Sequence, residues 1–173
     1  MFQLLDLSGF SFAGCNLRGA LFLGSALNGA DFSYADVTDA DMFGTIMIGC
    51  DLRGAKLSGA NLTRAILRNC DMREGAMMRS DSSDGLVVVE NREDLVTKKT
   101  VTFEDADLSG ARLARKSLVD SNLHNAMLGQ TDLSGADLSQ VDLSRLNLNG
   151  AKLTDTDLSD ANLNDATFDS AAE

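Results

Sequence analysis

The 173-residue sequence has no proline and no tryptophan, and aromatic residues make up only 5% of it, so any core must be built from small and aliphatic groups. Bases are in short supply: 15 stand against 26 acids, a net charge of −11. That balance repels a nucleic-acid duplex or an anionic membrane and attracts a basic protein surface. No apolar run approaches the ~18 residues that a membrane span requires. Met1-Phe2-Gln3-Leu4-Leu5 lacks the positive flank and long apolar stretch of a signal peptide, so the expected compartment is the cytoplasm. Three cysteines, an odd number, give no secreted disulfide framework. The single histidine, His124, has no nucleophile that the sequence places beside it. No glycine-rich phosphate cradle, metal-ligand cluster or acid–base pair stands out, so no catalytic residue, cofactor or metal is assigned, and no evident cleft is expected.

What the sequence has is a period of five. From Phe2 the steps give Leu7, Phe12, Leu17, Phe22 and onward to Met72 and Met77, sixteen large apolar residues without a miss. The frame then shifts by one. From Phe103 the steps give Leu108, Leu113, Leu118 and onward to Phe168, fourteen more. Two places before each of these centres the residue is usually small, as at Ala30, Ala60, Ala111 and Ala136. Just before the centre it is often Asp or Asn, as at Asp31, Asn61, Asp107 and Asp137.

Neither regular element keeps such a pattern on one face. A helix advances about 100° per residue, so a five-residue step drifts around its axis. A flat strand alternates with period two, so an odd step flips the face each time. A chain that turns a corner every five residues resolves both conflicts, with the small residue and the centre pointing inward. Twelve of the fifteen glycines fall two places after a centre, as a corner requiring positive φ would select.

Runs such as Ala60-Asn61-Leu62-Thr63-Arg64 and Ala136-Asp137-Leu138-Ser139-Gln140 resemble the A(D/N)LXX consensus of the pentapeptide-repeat family. The resemblance implies an all-β fold, a right-handed four-sided parallel β-helix in which four quintets complete a coil and residues 20 apart stack. Thirty quintets then make seven to eight coils, a rod about 36 Å long at the ~4.8 Å strand spacing. Phe2 is expected against Phe22, and Phe12 against Phe32. Cys15, Cys50 and Cys70 all take the small inward slot and read as buried hydrophobes, with Cys50 and Cys70 stacked. Lys116 is the one charge at an inward slot; its stem is expected inside and its amine at a corner.

Residues 80–100 interrupt the repeat. The expected organisation is a first half over 1–79, an inserted loop or hairpin over 80–100 and a second half over 101–173, all one continuous domain. Two forms of the insert fit. One is a hairpin pairing Leu86 to Glu90 with Leu95 to Val101 around Asn91-Arg92-Glu93-Asp94, favoured by the valine run through Val88. The other is a short helix capped at Asn91. If the insert is extruded, the quintet at Val101 takes the place vacated at Ser80. Such a loop is a functional element or a neutral surface insertion.

The charge is uneven: residues 102–173 hold thirteen acids and five bases, −8 of the total. One expected side, centred on Leu118, Leu138 and Leu158, presents Asp120, Asp137, Asp157 and Asp160 outward with no outward base. Some family members are acidic rods that imitate B-form DNA and occupy the DNA-binding saddle of gyrase, and the resemblance brings that role into view here. A bland source of the acidity stands beside it. Eleven of the 26 acids occupy the consensus slot before a centre, where short polar side chains bond the local backbone. The leading expectation is a non-enzymatic scaffold or protein-binding module. The alternative is an acidic DNA mimic that binds a type II topoisomerase. The candidate partner-binding residues are Asp120, Asp137, Asp157 and Asp160 together with Val88, Asn91, Arg92, Glu93 and Asp94. Neither direct nucleic-acid binding nor membrane binding is expected. The bare coil ends expose strand edges, so they are expected to pair with another copy or to continue in a longer chain.

Overall fold

A computed structural model of the chain describes residues 1–74, 77–81, 85–89 and 101–169. Through both repeat blocks the chain makes the same move every five residues: one bridging residue, one inward centre, then a two-residue turn. Each turn closes with the amide three places after the centre donating to the centre's carbonyl, as in Cys15 N–H to Phe12 at 2.9 Å and Ala136 N–H to Leu133 at 2.9 Å. The second turn residue has positive φ. All twelve glycines of the periodic set adopt it, between +62° and +72°. Fifteen other residues are held there too, among them Asp120 (61°), Arg145 (62°) and Asp160 (57°). Asp and Asn make up eight of the fifteen, the side chains that tolerate this region best.

Successive turns stack as parallel bridges between residues 20 apart, as in Ala26↔Ile46 and Ile46↔Ile66. The chain is therefore a parallel β-helix. Amides point both ways along the stack, so Leu27 N–H donates to Ile46 at 2.7 Å while Ile46 N–H donates to Ser25 at 3.0 Å. Across the insert the bridges Asn61↔Thr102, Ile66↔Asp107 and Asp71↔Arg112 join residues 41 apart. The excess of 21 residues is spliced out of the stack, and Thr102 occupies the place that Asp81 would have taken. One continuous ladder thus runs through both blocks, with the one-residue frame shift expected.

The insert does contain a hairpin, but with a partner strand that was not anticipated. Strand β1 (Met77–Asp81) pairs antiparallel with β2 (Gly85–Val89), in the register Met77↔Val89 through Asp81↔Gly85. Val88 faces Met78 across this pair. The departure from the repeat thus begins before Ser80, and Met77 opens β1 instead of adding one more centre to the stack. The expected pairing with 95–101, the helical alternative at Asn91 and the residues Asn91, Arg92, Glu93 and Asp94 all lie outside the described residues.

The core is a column of stacked centres and small residues, from Phe22, Leu27 and Ala30 through to Leu143, Leu146 and Leu148. The aromatic stacks are as expected, Phe2 on Phe22 at 4.9 Å and Phe12 on Phe32 at 4.8 Å between ring centroids. Several polar groups in the small slot are satisfied by a recurring bond to the carbonyl 23 residues earlier. Thr131 donates to Leu108 at 3.1 Å and Thr156 to Leu133 at 2.8 Å, and the Cys50 and Cys70 thiols donate to Leu27 and Met47. Cys50 and Cys70 are buried and unoxidised. The Cys70 thiol is held well above the usual range by the neighbouring Cys50 thiol and by burial. Cys15 departs from expectation: it is exposed, because it occupies an inward slot of the first turn, which no earlier turn covers. Lys116 behaves as its amphipathic chain suggests, with a side chain only 17% exposed and Nζ 3.1 Å from Glu74.

Among the described residues the ladder opens between the turns at 122–128 and 142–147. The bridges 122↔142 and 127↔147 are missing, although their neighbours Asp132↔Lys152, Asp137↔Asp157 and Asp142↔Asn162 are present. The amides of Leu123, Asn125, Leu128, Asp142 and Asn147 find no backbone acceptor there. The cause is in the small slot. Leu146 stands buried where its column otherwise holds Ser25, Thr45, Ala65, Ala106, Ala126 and Ala166, apart from an exposed Leu5 in the first turn, and Val141 precedes it by five. A valine alone does not open the ladder, because Val101 occupies an equivalent slot and Asn61↔Thr102↔Asn122 stays bridged. The added bulk of a leucine, wedged over Ala126, holds the two turns apart.

Candidate functional site

The four series of bridges are not equivalent. Three of them cross the insert directly, from 61, 66 and 71 to 102, 107 and 112. The fourth runs Asn16–Asp36–Lys56 and resumes at Ser117–Asp137–Asp157. Glu74 is the last described residue of the stack before the insert and the stack resumes at Val101, so the insert is rooted in the fourth series, between Lys56 and Ser117. That is the side carrying Asp137 and Asp157. The two candidate regions, treated separately from sequence, therefore share one face. The Lys116–Glu74 ion pair lies at the root of the insert.

On this face Asp137 and Asp157 are directly bridged neighbours. One oxygen of each carboxylate is committed locally. Asp137 accepts the Ser139 amide at 3.1 Å and the Ser139 hydroxyl at 2.7 Å, and Asp157 accepts the Ser159 amide at 2.9 Å. The Ser159 bonds hold the Asp157 carboxyl below the usual carboxylate range. The same bond, from an acid or amide to the amide two residues on, recurs through the repeat, as at Asp31–Ser33, Asn61–Thr63 and Asn147–Asn149. Part of the acidity is therefore a folding device.

Several other acids are paired with arginine. Arg18 meets Asp36 at 3.3 Å, Arg53 meets Asp51, Arg73 and Arg112 meet Asp71 at 2.6 and 3.5 Å, and Arg68 meets Asp107. Asp137, Asp157 and Asp160 have no ion pair among the described residues. Asp120 and Asp160 sit at positive-φ corners, where the chain turns away from this face.

The opened ladder forms a second feature that the repeat pattern concealed. A cavity of about 310 Å³ lies between the separated turns, reaching from Ser109 past Ala126 and Met127 to Arg145, Leu146 and Asn147. This corrects the expectation of a rod without a cleft. Its sequence signal is the leucine at 146, in a slot that holds small residues from Ser25 to Ala126.

Comparison with known proteins follows from this geometry. The family model described as pentapeptide repeats matches residues 6–42, 45–81, 103–140 and 142–171. No curated protein matches the sequence. Among solved structures the chain is similar to a pentapeptide repeat protein of the Arabidopsis thaliana thylakoid lumen, at 25% identity and TM-score 0.36, over 75% of this chain and 66% of that one. It is also similar to QnrB1, a plasmid-mediated fluoroquinolone resistance protein, at 20% identity and TM-score 0.33, over 96% and 92% of the two chains. A third is HetL, a pentapeptide repeat protein involved in heterocyst differentiation regulation in the cyanobacterium Nostoc sp. strain PCC 7120, at 21% identity and TM-score 0.27, over 99% and 90%. Among the described residues no helix is long and apolar enough to cross a membrane.

Proposed function

The chain belongs to the pentapeptide-repeat family, and from that premise we propose that it is a non-enzymatic binding module whose working face carries the insert together with Asp120, Asp137, Asp157 and Asp160. The observation that carries this reading is the shared bridge series: the insert is rooted beside Asp137 and Asp157, which with Asp160 have no ion pair among the described residues. Such a face favours a protein with a basic surface, which gains both charge complementarity and a projecting element to grip. It disfavours nucleic acid and anionic membrane. The scaffold we infer is a right-handed, four-sided coil of seven to eight turns, working in the cytoplasm. Its ends are the surfaces through which copies would associate.

The test separates working carboxylates from folding ones. Asn keeps the oxygen that accepts the local amide, as Asn61 and Asn162 do, and removes the charge. The triple variant Asp137→Asn/Asp157→Asn/Asp160→Asn should therefore unfold within about 0.5 kcal/mol of the parent, yet lose a partner captured by the parent protein. A partner held equally by this variant and by a variant lacking 80–100 removes the reading.

A second reading is favoured by the regular stacking of carboxylates: a rod that presents itself to a type II topoisomerase as duplex DNA would. Gyrase supercoiling measured with increasing protein distinguishes the two. Inhibition or quinolone protection that vanishes in the Asn variant supports mimicry; unaltered supercoiling at micromolar protein eliminates it.

A further inference from the structure

The opened ladder has chemistry that the rest of the rod lacks. Between the separated turns the amides of Asn125, Leu128 and Asn147 have no acceptor, and the Ala126 carbonyl has lost the donor that the repeat would supply from Asn147. Unpaired strand groups of this kind are a template for another amide. Their own side chains do not cover them. Asn125 Nδ2 turns one way, to Asp105 at 3.1 Å, and Asn147 Oδ1 turns the other, accepting Asn149 N–H at 2.9 Å.

Arg145 stands at the mouth. In its corner column Arg64 pairs with Asp105 at 3.4 Å, but Arg145 makes no ion pair with Asp165, one turn further on, and lines the cavity instead. A guanidinium is the preferred partner of a planar carboxylate, which it binds with two parallel bonds. The accessible apolar lining is Met127, 50% exposed, with Ala126 and Leu146 nearly fully buried behind it. At about 310 Å³ the cavity matches the small end of ligand sites.

We propose that this fissure binds an N-acylated α-amino acid with an apolar side chain. The carboxylate would lie on Arg145, the amide between the open strand edges, and the side chain on Met127. Two sources share that chemistry, a free acylated amino acid and the last residue of a polypeptide. The site is separate from the acidic face and does not depend on the role assigned to it.

The probe is N-acetyl-L-leucine, titrated into the full chain and followed by backbone amide NMR, with N-acetyl-L-leucinamide as the carboxylate-free control. Shifts are expected at Asn125, Leu128 and Asn147, with the amide control at least about tenfold weaker, and Arg145→Gln, an exposed corner substitution, lowering affinity by a similar factor. Leu146→Ala should abolish binding by letting the rungs close. Should that variant fold poorly, Arg145→Gln still carries the test. Equal affinity for acid and amide, no response at those three amides, or full binding by either folded variant overturns the proposal. A hexapeptide ending in a free leucine carboxylate identifies the source: affinity tenfold above the single residue assigns a polypeptide terminus, and equal affinity assigns the free compound.

Discussion

Leu146→Ala is expected to be unusually cheap for a buried leucine, and the comparison is internal. Leu146 and Leu148 are both buried, at 4% and 2% exposure, two residues apart in one turn. Truncating a buried leucine to alanine ordinarily costs about 2–5 kcal/mol, from lost transfer energy and the cavity left behind. Leu148→Ala should fall in that range, since Leu148 N–H is already bonded to Thr167 at 2.9 Å and nothing is regained. Leu146→Ala relieves a wedge. Closing the rung allows Asn147 N–H to reach Ala126 and Leu128 N–H to reach Asn147, two bonds worth ~1 kcal/mol each. The net cost should be about 2 kcal/mol below that of Leu148→Ala. Urea unfolding of the two variants measures the difference, and hydrogen exchange supplies the mechanism. The amides of Leu128 and Asn147 should exchange rapidly in the parent and become protected in Leu146→Ala. Equal costs together with unchanged exchange would refute the wedge.

Three further outcomes follow from the geometry. Gly44 has φ of +64° and open space where a Cβ would be built, so Gly44→Ala should cost about 1 kcal/mol from backbone conformation alone, read by thermal unfolding. Asp51 and Asp71 are held below the ordinary 3.8 chiefly by their bonds to Arg53 and Arg73. Their contribution is complete above the unfolded-state value and fades as pH drops through the lowered folded values, so the urea midpoint should hold from neutral pH to about 5 and decline below 4. A midpoint that rises on acidification contradicts those pairings. Excising 80–100 should leave one cooperative transition within about 1 kcal/mol of the parent, since shortening a surface loop changes closure entropy only slowly; a broadened or split transition would show that the insert supports the stack.

Much of the fold was legible because one inequality repeats. A large apolar residue every five positions, a small one two places earlier and a glycine at the corner leave few alternatives, and the splice at Thr102 followed from the frame alone. What was lost was lost for local reasons. Met77 is in phase with the repeat and of the right size, so nothing in its identity marks it as the start of β1 opposite Val89. Cys15 has the same sequence environment as Cys50, and only the absence of an earlier turn beneath it makes it exposed. Leu146 keeps the apolar character of its slot but breaks the rule of a small residue there, and the effect of that breach on the ladder exists only once turns are stacked. The shared face of insert and carboxylates was hidden for a related reason: Glu74 and Asp137 are far apart in sequence and come within two levels of each other only when the chain is wound.

The bridges that cross the insert have a consequence for engineering. Three of the four series join residue to residue across it as though it were not there, so the stack registers only the points of exit and return. The interval between Glu74 and Val101 is therefore a socket. Foreign sequence of varied length, a peptide epitope or a small domain with adjacent termini, can be seated there at a fixed level on the rod, provided its ends meet in step, and Lys116 is positioned to clasp the exit.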